Sequence, residues 1–483
     1  MSEPLLVKID NNTVDLTSII DWHPGGSHVL KSNRGLDVTD LVRAFHVNLN
    51  YRHLIVRQNI STVAPHVIDF RELNDSFRAR GWYDPPIYMF SIRMFACLCL
   101  FATSIFGLYY HNNGIMVSAI AMGMCWQQTA GLGHDLGHSS SLKKRNENRL
   151  MGSIMSIFTG LSSVWWRHSH FQHHVHTNVK EEDPDILHMP IFSISDKLFV
   201  PFYHNFIGTH VQLDNIANIC IRIQHFTMYP ILMFARFNLY VQSIKHIYNK
   251  SDVYSRIEKI GILCFFGWHA LLLVQLGTSR FLKFALLSHF ISGILHVQIV
   301  ISHWAGDVKT LSDAPTDHFS HTLQTTADVN CPKYMDWFHL GLQFQIAHHM
   351  FPRLPRCHLR EATYAVQQIC LKHNLVYNSM TFIDLNRHLL RNMKLVANKK
   401  VKHATGALLN EVRFRPPVPR TEQDPGRPRG SGFYAAEEEF HETAQKNQPA
   451  TAQEYQPKRQ KKSSPKLRHK APAPLYFYGN QYQ

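Results

Sequence analysis

The sequence predicts a mainly α-helical, four-span membrane protein with a histidine-rich metal domain on the cytosolic side and a small α+β domain at its amino terminus. Three observations predict it. Apolar segments come in two pairs with very short joints, three histidine clusters follow or adjoin those segments, and the amino-terminal stretch instead alternates apolar and polar residues. The expected division is 1–66 for the amino-terminal domain, 67–86 for a charged linker, 87–398 for the membrane domain and 399–483 for a disordered, basic, proline-rich tail.

The first pair of spans covers about 87–110 and 114–133, separated only by His111-Asn112-Asn113. The second of these has about 20 residues, which at ~1.5 Å each reaches ~30 Å, the thickness of a bilayer core. A joint that short makes the two segments antiparallel neighbours. Lys143, Lys144 and Arg145 follow, and positive charge there favours the cytosol. The second pair, about 259–276 and 281–302, is joined by Gly277-Thr278-Ser279-Arg280. With both joints on the far side, the two chain ends and all the histidine clusters share the cytosolic side. Residues 154–166 are apolar but too short to span, and 191–250 mix aromatic and basic groups as an amphipathic surface segment does.

The histidine clusters read HDLGH at 134–138, HFQHH at 170–174 and QIAHH at 345–349. His134 and His138 share a helix face, as do His170, His173 and His174 at i, i+3 and i+4. With His348 and His349 these are too many imidazoles for one tetrahedral zinc, and they suit two first-row transition ions. Gln345 is a further candidate ligand. His289, His296 and His303 recur every seventh residue along the last span; His303, level with the clusters, is the candidate ligand and the other two are expected to be core histidines. Such a cage at the mouth of a membrane bundle suits oxygen activation beside a lipid chain, which points to a lipid oxidoreductase without separating desaturation from hydroxylation.

At the amino terminus, Leu5 to Leu16 alternates around Asp10-Asn11-Asn12, as a hairpin does, and leads into His23-Pro24-Gly25-Gly26. The glycines let backbone approach something flat and bulky, and His46 supplies a second imidazole after Asp37-Val38-Thr39-Asp40. Two opposed histidines are what six-coordinate haem iron requires.

Composition excludes some alternatives. The net charge of +15, about half of it beyond residue 398, points to anionic lipid rather than nucleic acid, given the apolar spans. The eight cysteines form no CxxC pair and several lie in apolar runs, so free thiols are expected.

HPGG, Asp37-Val38-Thr39 and the second histidine resemble cytochrome b5, with an abbreviated outer shell around the haem-binding centre. The three boxes, with Trp165-Trp166 before the second and Thr177-Asn178 and Asp183-Pro184-Asp185 after it, resemble front-end desaturases fused to cytochrome b5, whose third box begins with glutamine. Ser302-His303-Trp304, Asp328-Val329-Asn330-Cys331-Pro332, Met335-Asp336-Trp337-Phe338-His339 and Phe351-Pro352-Arg353-Leu354-Pro355-Arg356 are similar to those of fungal-type sphingolipid Δ8 desaturases. The resemblance implies two iron ions held by His134, His138, His170, His173, His174, His348 and His349, with Gln345 and His303 as further members, and haem b on His23 and His46. His168 and His176 match no ligand position, and Ala347 stands where many relatives carry an acidic residue. It further implies an endoplasmic-reticulum enzyme that uses O2 and electrons from NADH-cytochrome b5 reductase, directly or through a separate cytochrome b5, to desaturate C8 of a ceramide's sphingoid base. The alternatives are a Δ5/Δ6-type desaturase of polyunsaturated acyl chains, and a non-catalytic membrane haem or scaffold protein.

Overall fold

The computed structural model describes residues 3–46, 49, 51–58, 63–110 and 114–409, with side chains to residue 399. The His111-Asn112-Asn113 joint and the tail beyond residue 409 lie outside them.

Alternation at the amino terminus folds as its period demands. Strands β1 (Leu6–Ile9) and β2 (Asn12–Asp15) pair antiparallel, with Asp10 and Asn11 turning the chain at φ 45° and 64°. Short polar side chains are the ones that tolerate that region. Helices α1 (Ser27–Lys31) and α2 (Thr39–Phe45) follow, and β3 (Ile55–Gln58) adds to the far edge of β2. Leu5, Val7, Ile9, Val14 and Val38 form a small core between sheet and helices.

The stretch expected to be a linker differs. Residues Pro65–Ala79 form helix α3, entered through a proline in its first turn. Its Val67, Phe70, Asn74 and Phe77 recur at helical spacing and are buried, the two phenylalanines packing with Phe319, Met350 and Phe351. At about 1.5–3 kcal/mol per fully buried large apolar side chain, those contacts fasten α3 to the membrane domain. Its charged face had masked this stripe.

Helices α4 (Ile87–Tyr110) and α5 (Gly114–Gly137) pack along each other, Ser104 Oγ donating to the Ser118 carbonyl at 2.8 Å. Then come α6 (Arg145–Ile154), α7 (Ser156–Thr159) and α8 (Ser163–Val175), the last capped by Ser162, whose Oγ accepts from the Trp165 N–H. A short hairpin, β4 (Phe202–His204) with β5 (Thr209–Val211), precedes α9 (Asn215–Met233) and α10 (Arg236–Ile247). Ile216, Ile219, Ile223 and Phe226 of α9 are exposed along one side, as an amphipathic surface helix requires.

Helix α11 (Val253–Ser292) runs almost into α12 (Ile294–Trp304) but is broken at Gly277, whose φ of 71° and ψ of 162° are open essentially to glycine alone. The break falls where the Gly-Thr-Ser-Arg joint is expected. Glu258 on α11 is buried against α8, accepting from Ser153 Oγ at 3.0 Å and the Val164 N–H at 3.1 Å.

Two segments among the described residues are long and apolar enough to cross a membrane, Ile87–Tyr109 and Val253–Trp304, the latter spanning 52 residues across the Gly277 break. Expected as a span too, α5 does not meet the same measure. Its Gln127, Gln128 and Thr129 lower its apolarity; Gln127 and Thr129 are buried, and Gln127 donates to Gln298 at 3.0 Å and to the Phe338 carbonyl at 2.7 Å.

The remaining elements are α13 (His318–Thr325), β6 (Asp328–Asn330), α14 (Asp336–His339), α15 (Gln345–Met350), α16 (Leu359–Lys372), β7 (Ser379–Thr381), parallel to β6, and α17 (Phe382–Leu409). Leu385, Leu389 and Met393 of α17 pack with Trp304 and Val329, so the last helix runs past residue 398, where the tail was expected to begin.

Candidate metal centre

Four helices bring the histidines together. His134 lies in the last turn of α5 with His138 just beyond it; α8 carries His170, His173 and His174; α12 carries His303; and α15 carries His348 and His349. The ligand-capable nitrogens fall into two groups, each with its atoms within 4.8 Å of one another: His134, His138, His170, His174 and His348, and His173, His303 and His349. The i, i+3, i+4 spacing of α8 is what serves both groups, His170 and His174 facing one and His173 the other.

Nitrogens in these groups point at each other. His174 Nε2 lies 3.0 Å from His170 Nε2, and His173 Nε2 lies 3.4 Å from His303 Nε2. Both nitrogens of His138, Nδ1 of His303, and Nε2 of His348 and His349 are buried without a hydrogen-bond partner. Buried polar atoms are normally paired, and converging imidazole lone pairs are a donor set for cations. Five and three imidazoles fit two first-row transition ions well.

Outside the rings, a layer of polar groups sets their orientation, as is usual for metal-binding histidines. Asp183 accepts from His173 Nδ1, fixing the tautomer that leaves Nε2 facing the group. Burial pulls the His173 pKa down, yet Asp183 and Asp185 outweigh it and lift it to about 9. Thr177 Oγ1 lies 3.0 Å from His349 Nδ1, and Asp135 lies 3.2 Å from His134 Nδ1. Asp135 is itself clamped by Arg93 at 2.6 Å and by Arg356 at 2.7 and 3.0 Å, which ties the first box to the segment after the third. Gln345 is buried beside His303.

His289 and His296, both expected to be satisfied core histidines, stay apart from both groups, but the two ring nitrogens of His296 are buried without a hydrogen-bond partner. His289 Nε2 bonds the Tyr240 hydroxyl at 3.0 Å and its ring stacks on Phe237, as a satisfied core histidine does. His176 bonds Ser32 Oγ at 3.0 Å, and His168 packs beside His246. The supporting Asp183, Asp185, Asp135 and Arg356 stood in recognisable motifs, but spacing alone gives no sign of which ring each would hold.

At the amino terminus, the His23 and His46 rings stand 6.1 Å apart, centre to centre. An iron between two ring nitrogens needs about 2 Å per bond and about 1 Å more to each ring centre, so the separation fits haem. His46 Nδ1 is 3.3 Å from the Val42 carbonyl, which leaves Nε2 for a metal. Gly26 at φ 88° turns the backbone there, and at Gly25 a side chain would press on the His23 ring at 3.0 Å. A cavity of about 300 Å³ opens between the two rings, walled chiefly by apolar side chains.

The fatty acid desaturase profile matches residues 113–381, and the cytochrome b5-like heme/steroid binding domain profile matches residues 1–64. The chain belongs to the fatty acid desaturase family. It is a lipid desaturase, an oxidoreductase, with a cytochrome b5-like domain on the same chain. Its relatives include Delta(8)-fatty-acid desaturase 2 of Arabidopsis thaliana, 33% identical over 84% of this chain and 93% of the relative. The acyl-lipid (9-3)-desaturase of Borago officinalis is 34% identical over 81% of this chain and 90% of its own. The Delta 8-(E)-sphingolipid desaturase of Komagataella phaffii is 36% identical over 69% of this chain and 63% of its own length. Δ8 desaturases of both plant and fungal origin are therefore its kin, and the family sets the histidine groups in a desaturase.

Proposed function

We propose that this desaturase introduces a double bond at C8 of the sphingoid base of ceramides, in the endoplasmic-reticulum membrane. The observation that carries the chemistry is the paired histidine groups, whose buried, unpartnered nitrogens suit two iron ions. Iron held there would supply oxygen-dependent removal of hydrogen from an unactivated carbon. The overall change balances as R–CH2–CH2–R + O2 + 2e⁻ + 2H⁺ giving R–CH=CH–R + 2H2O. The Δ8 designation of both the plant and the fungal relatives supports the position, and the 36% identity to the sphingolipid enzyme supports the substrate.

The proposed ligands are His134, His138, His170, His174 and His348 for one ion and His173, His303 and His349 for the other, with Gln345 beside His303 in reserve as a weak ligand. Asp183, Asp135 and Thr177 hold the rings, and burial keeps bulk water from the reacting carbon. Electrons enter from NADH-cytochrome b5 reductase, through the fused domain or a separate cytochrome b5. The membrane path has four spans, α4, α5 and the two arms flanking Gly277, with the histidines and both chain ends cytosolic.

Expression in a yeast lacking Δ8 and front-end desaturation, followed by analysis of long-chain bases and acyl chains, tests it. Δ8-unsaturated bases are expected. New unsaturation confined to acyl chains would select the second reading, which the 34% identity to the acyl-lipid enzyme favours. No new double bond from an iron-loaded protein would leave a haem or scaffold role.

A further inference from the structure

The cavity between His23 and His46 is not closed by the amino-terminal domain. One wall belongs to the desaturase part of the chain and includes Ser139, Phe171 and Val175. Four arginines from that part, Arg145, Arg149, Arg167 and Arg353, also line it, and no aspartate or glutamate does among the described residues. None of the four makes an ion pair with a carboxylate among the described residues. Nε of Arg149 and of Arg353 is buried without an acceptor.

Four guanidinium groups around one cavity repel each other, and their mutual charge is felt in their surroundings. Burial and the neighbouring Arg149 and Arg145 bring the Arg167 pKa down to about 10. Such a cluster is tolerated where an anion joins it, and Arg forks suit carboxylates in particular. Haem is a flat apolar plate with two propionate carboxylates on one edge, which matches apolar walls, paired imidazoles and a cationic rim together.

We propose that Arg145, Arg149, Arg167 and Arg353 bind the propionates of the haem held by His23 and His46, so that the desaturase part of the chain completes the haem site. This rests on the reading that the fused domain carries haem.

The test uses the full-length protein, purified with haem supplied. Low-spin haem per chain is read from reduced-minus-oxidised spectra, its retention from transfer to excess apomyoglobin, and its midpoint potential by titration; iron content reports on the folded metal centre. Arg167→Gln and Arg353→Gln are each expected to release haem at least about tenfold faster, taking a charge-assisted hydrogen bond at about 1.5–3 kcal/mol. Loss of a positive charge disfavours the electron-rich reduced form, so the potential moves negative, and Lys at either position restores the potential more fully than the retention. Should haem retention and potential stay at wild-type values in both variants and in Arg145→Gln, the exposed member of the set, the assignment falls; arginines serving lipid phosphate would give that result. A wild-type protein loaded with iron but showing no low-spin haem would overturn the haem reading itself, and this inference with it.

Discussion

Asp183 accepts the Nδ1–H of His173 on both of its carboxylate oxygens, at 3.0 and 2.9 Å. The same carboxylate takes the backbone N–H of Asn178 at 2.7 Å and of Asp185 at 2.8 Å, so its position is fixed from three sides. It orients the one ring of α8 that faces the three-histidine group. Asp183→Asn keeps the shape but removes the charge and one acceptor. Its iron content after dialysis is expected to correspond to an affinity about 10–100-fold weaker. A variant that retains two irons and full turnover would show that His173 needs no such support.

Arg356 makes a second, longer-range prediction. Its guanidinium holds Asp135 and also donates to the Gly131 carbonyl at 2.8 Å, so α5 and the segment after α15 are fastened at one point. Arg356→Ala leaves Asp135 with Arg93 as its remaining guanidinium. Breaking a largely buried pair costs on the order of 3 kcal/mol, visible as a lower melting temperature in detergent. Iron and activity should fall together, because the first and third boxes lose their common anchor.

Asp328 gives a pH signature. It accepts from the Ile346 N–H at 2.9 Å and from the Tyr377 hydroxyl, holding the start of α15. Burial raises its pKa from 3.8 to about 7, against those hydrogen bonds. Between those values the folded protein keeps a proton that the unfolded chain releases. The resulting stabilisation is complete below the unfolded value and is lost as pH rises through about 7. Asp328→Asn, neutral at every pH, is expected to flatten the decline in melting temperature between pH 5 and 8, whereas Asp328→Ala lowers it throughout by leaving the Ile346 N–H unpaired. An unchanged pH profile in the Asn variant would exclude Asp328 as its source.

Gly277 is tested by a single substitution. Nothing lies within 4 Å of a Cβ added there, so any cost is conformational and not steric crowding. Gly277→Val should lose about 1–3 kcal/mol of stability. Equal stability of the valine variant would mean that the chain can turn here in another way.

Much of this was legible in the sequence because the metal centre is built on helices. Helical spacing puts His170, His173 and His174 on one side of α8, and the sevenfold spacing of His303 from His296 marks the end of α12 that reaches the cluster. The division into two groups was not legible, since it depends on which face of α8 meets α12 and α15 in space. Nor was the role of α3, whose Phe70 and Phe77 are diluted by Arg71, Glu72, Asp75 and Arg78 between them. The four arginines of the cavity between His23 and His46 come from three separate stretches of chain, and Arg145 by itself looked like an ordinary positive-inside charge. Polar residues within α5 are a related case: their partners, Gln298 and Phe338, lie far along the chain, so inward burial could not be told from a weaker span.

A cavity walled by two parts of one chain makes its occupant a staple between them. Whatever binds between His23 and His46 also touches Phe171, on the same helix as three of the metal-facing histidines. Binding free energy at such a seam is shared in both directions: an occupant steadies α8, and a well-formed α8 tightens the occupant. With haem as that occupant, the two halves would mature together, and a chain that has failed to fold its histidine helices would lose its haem first, before it could deliver electrons to an incomplete centre.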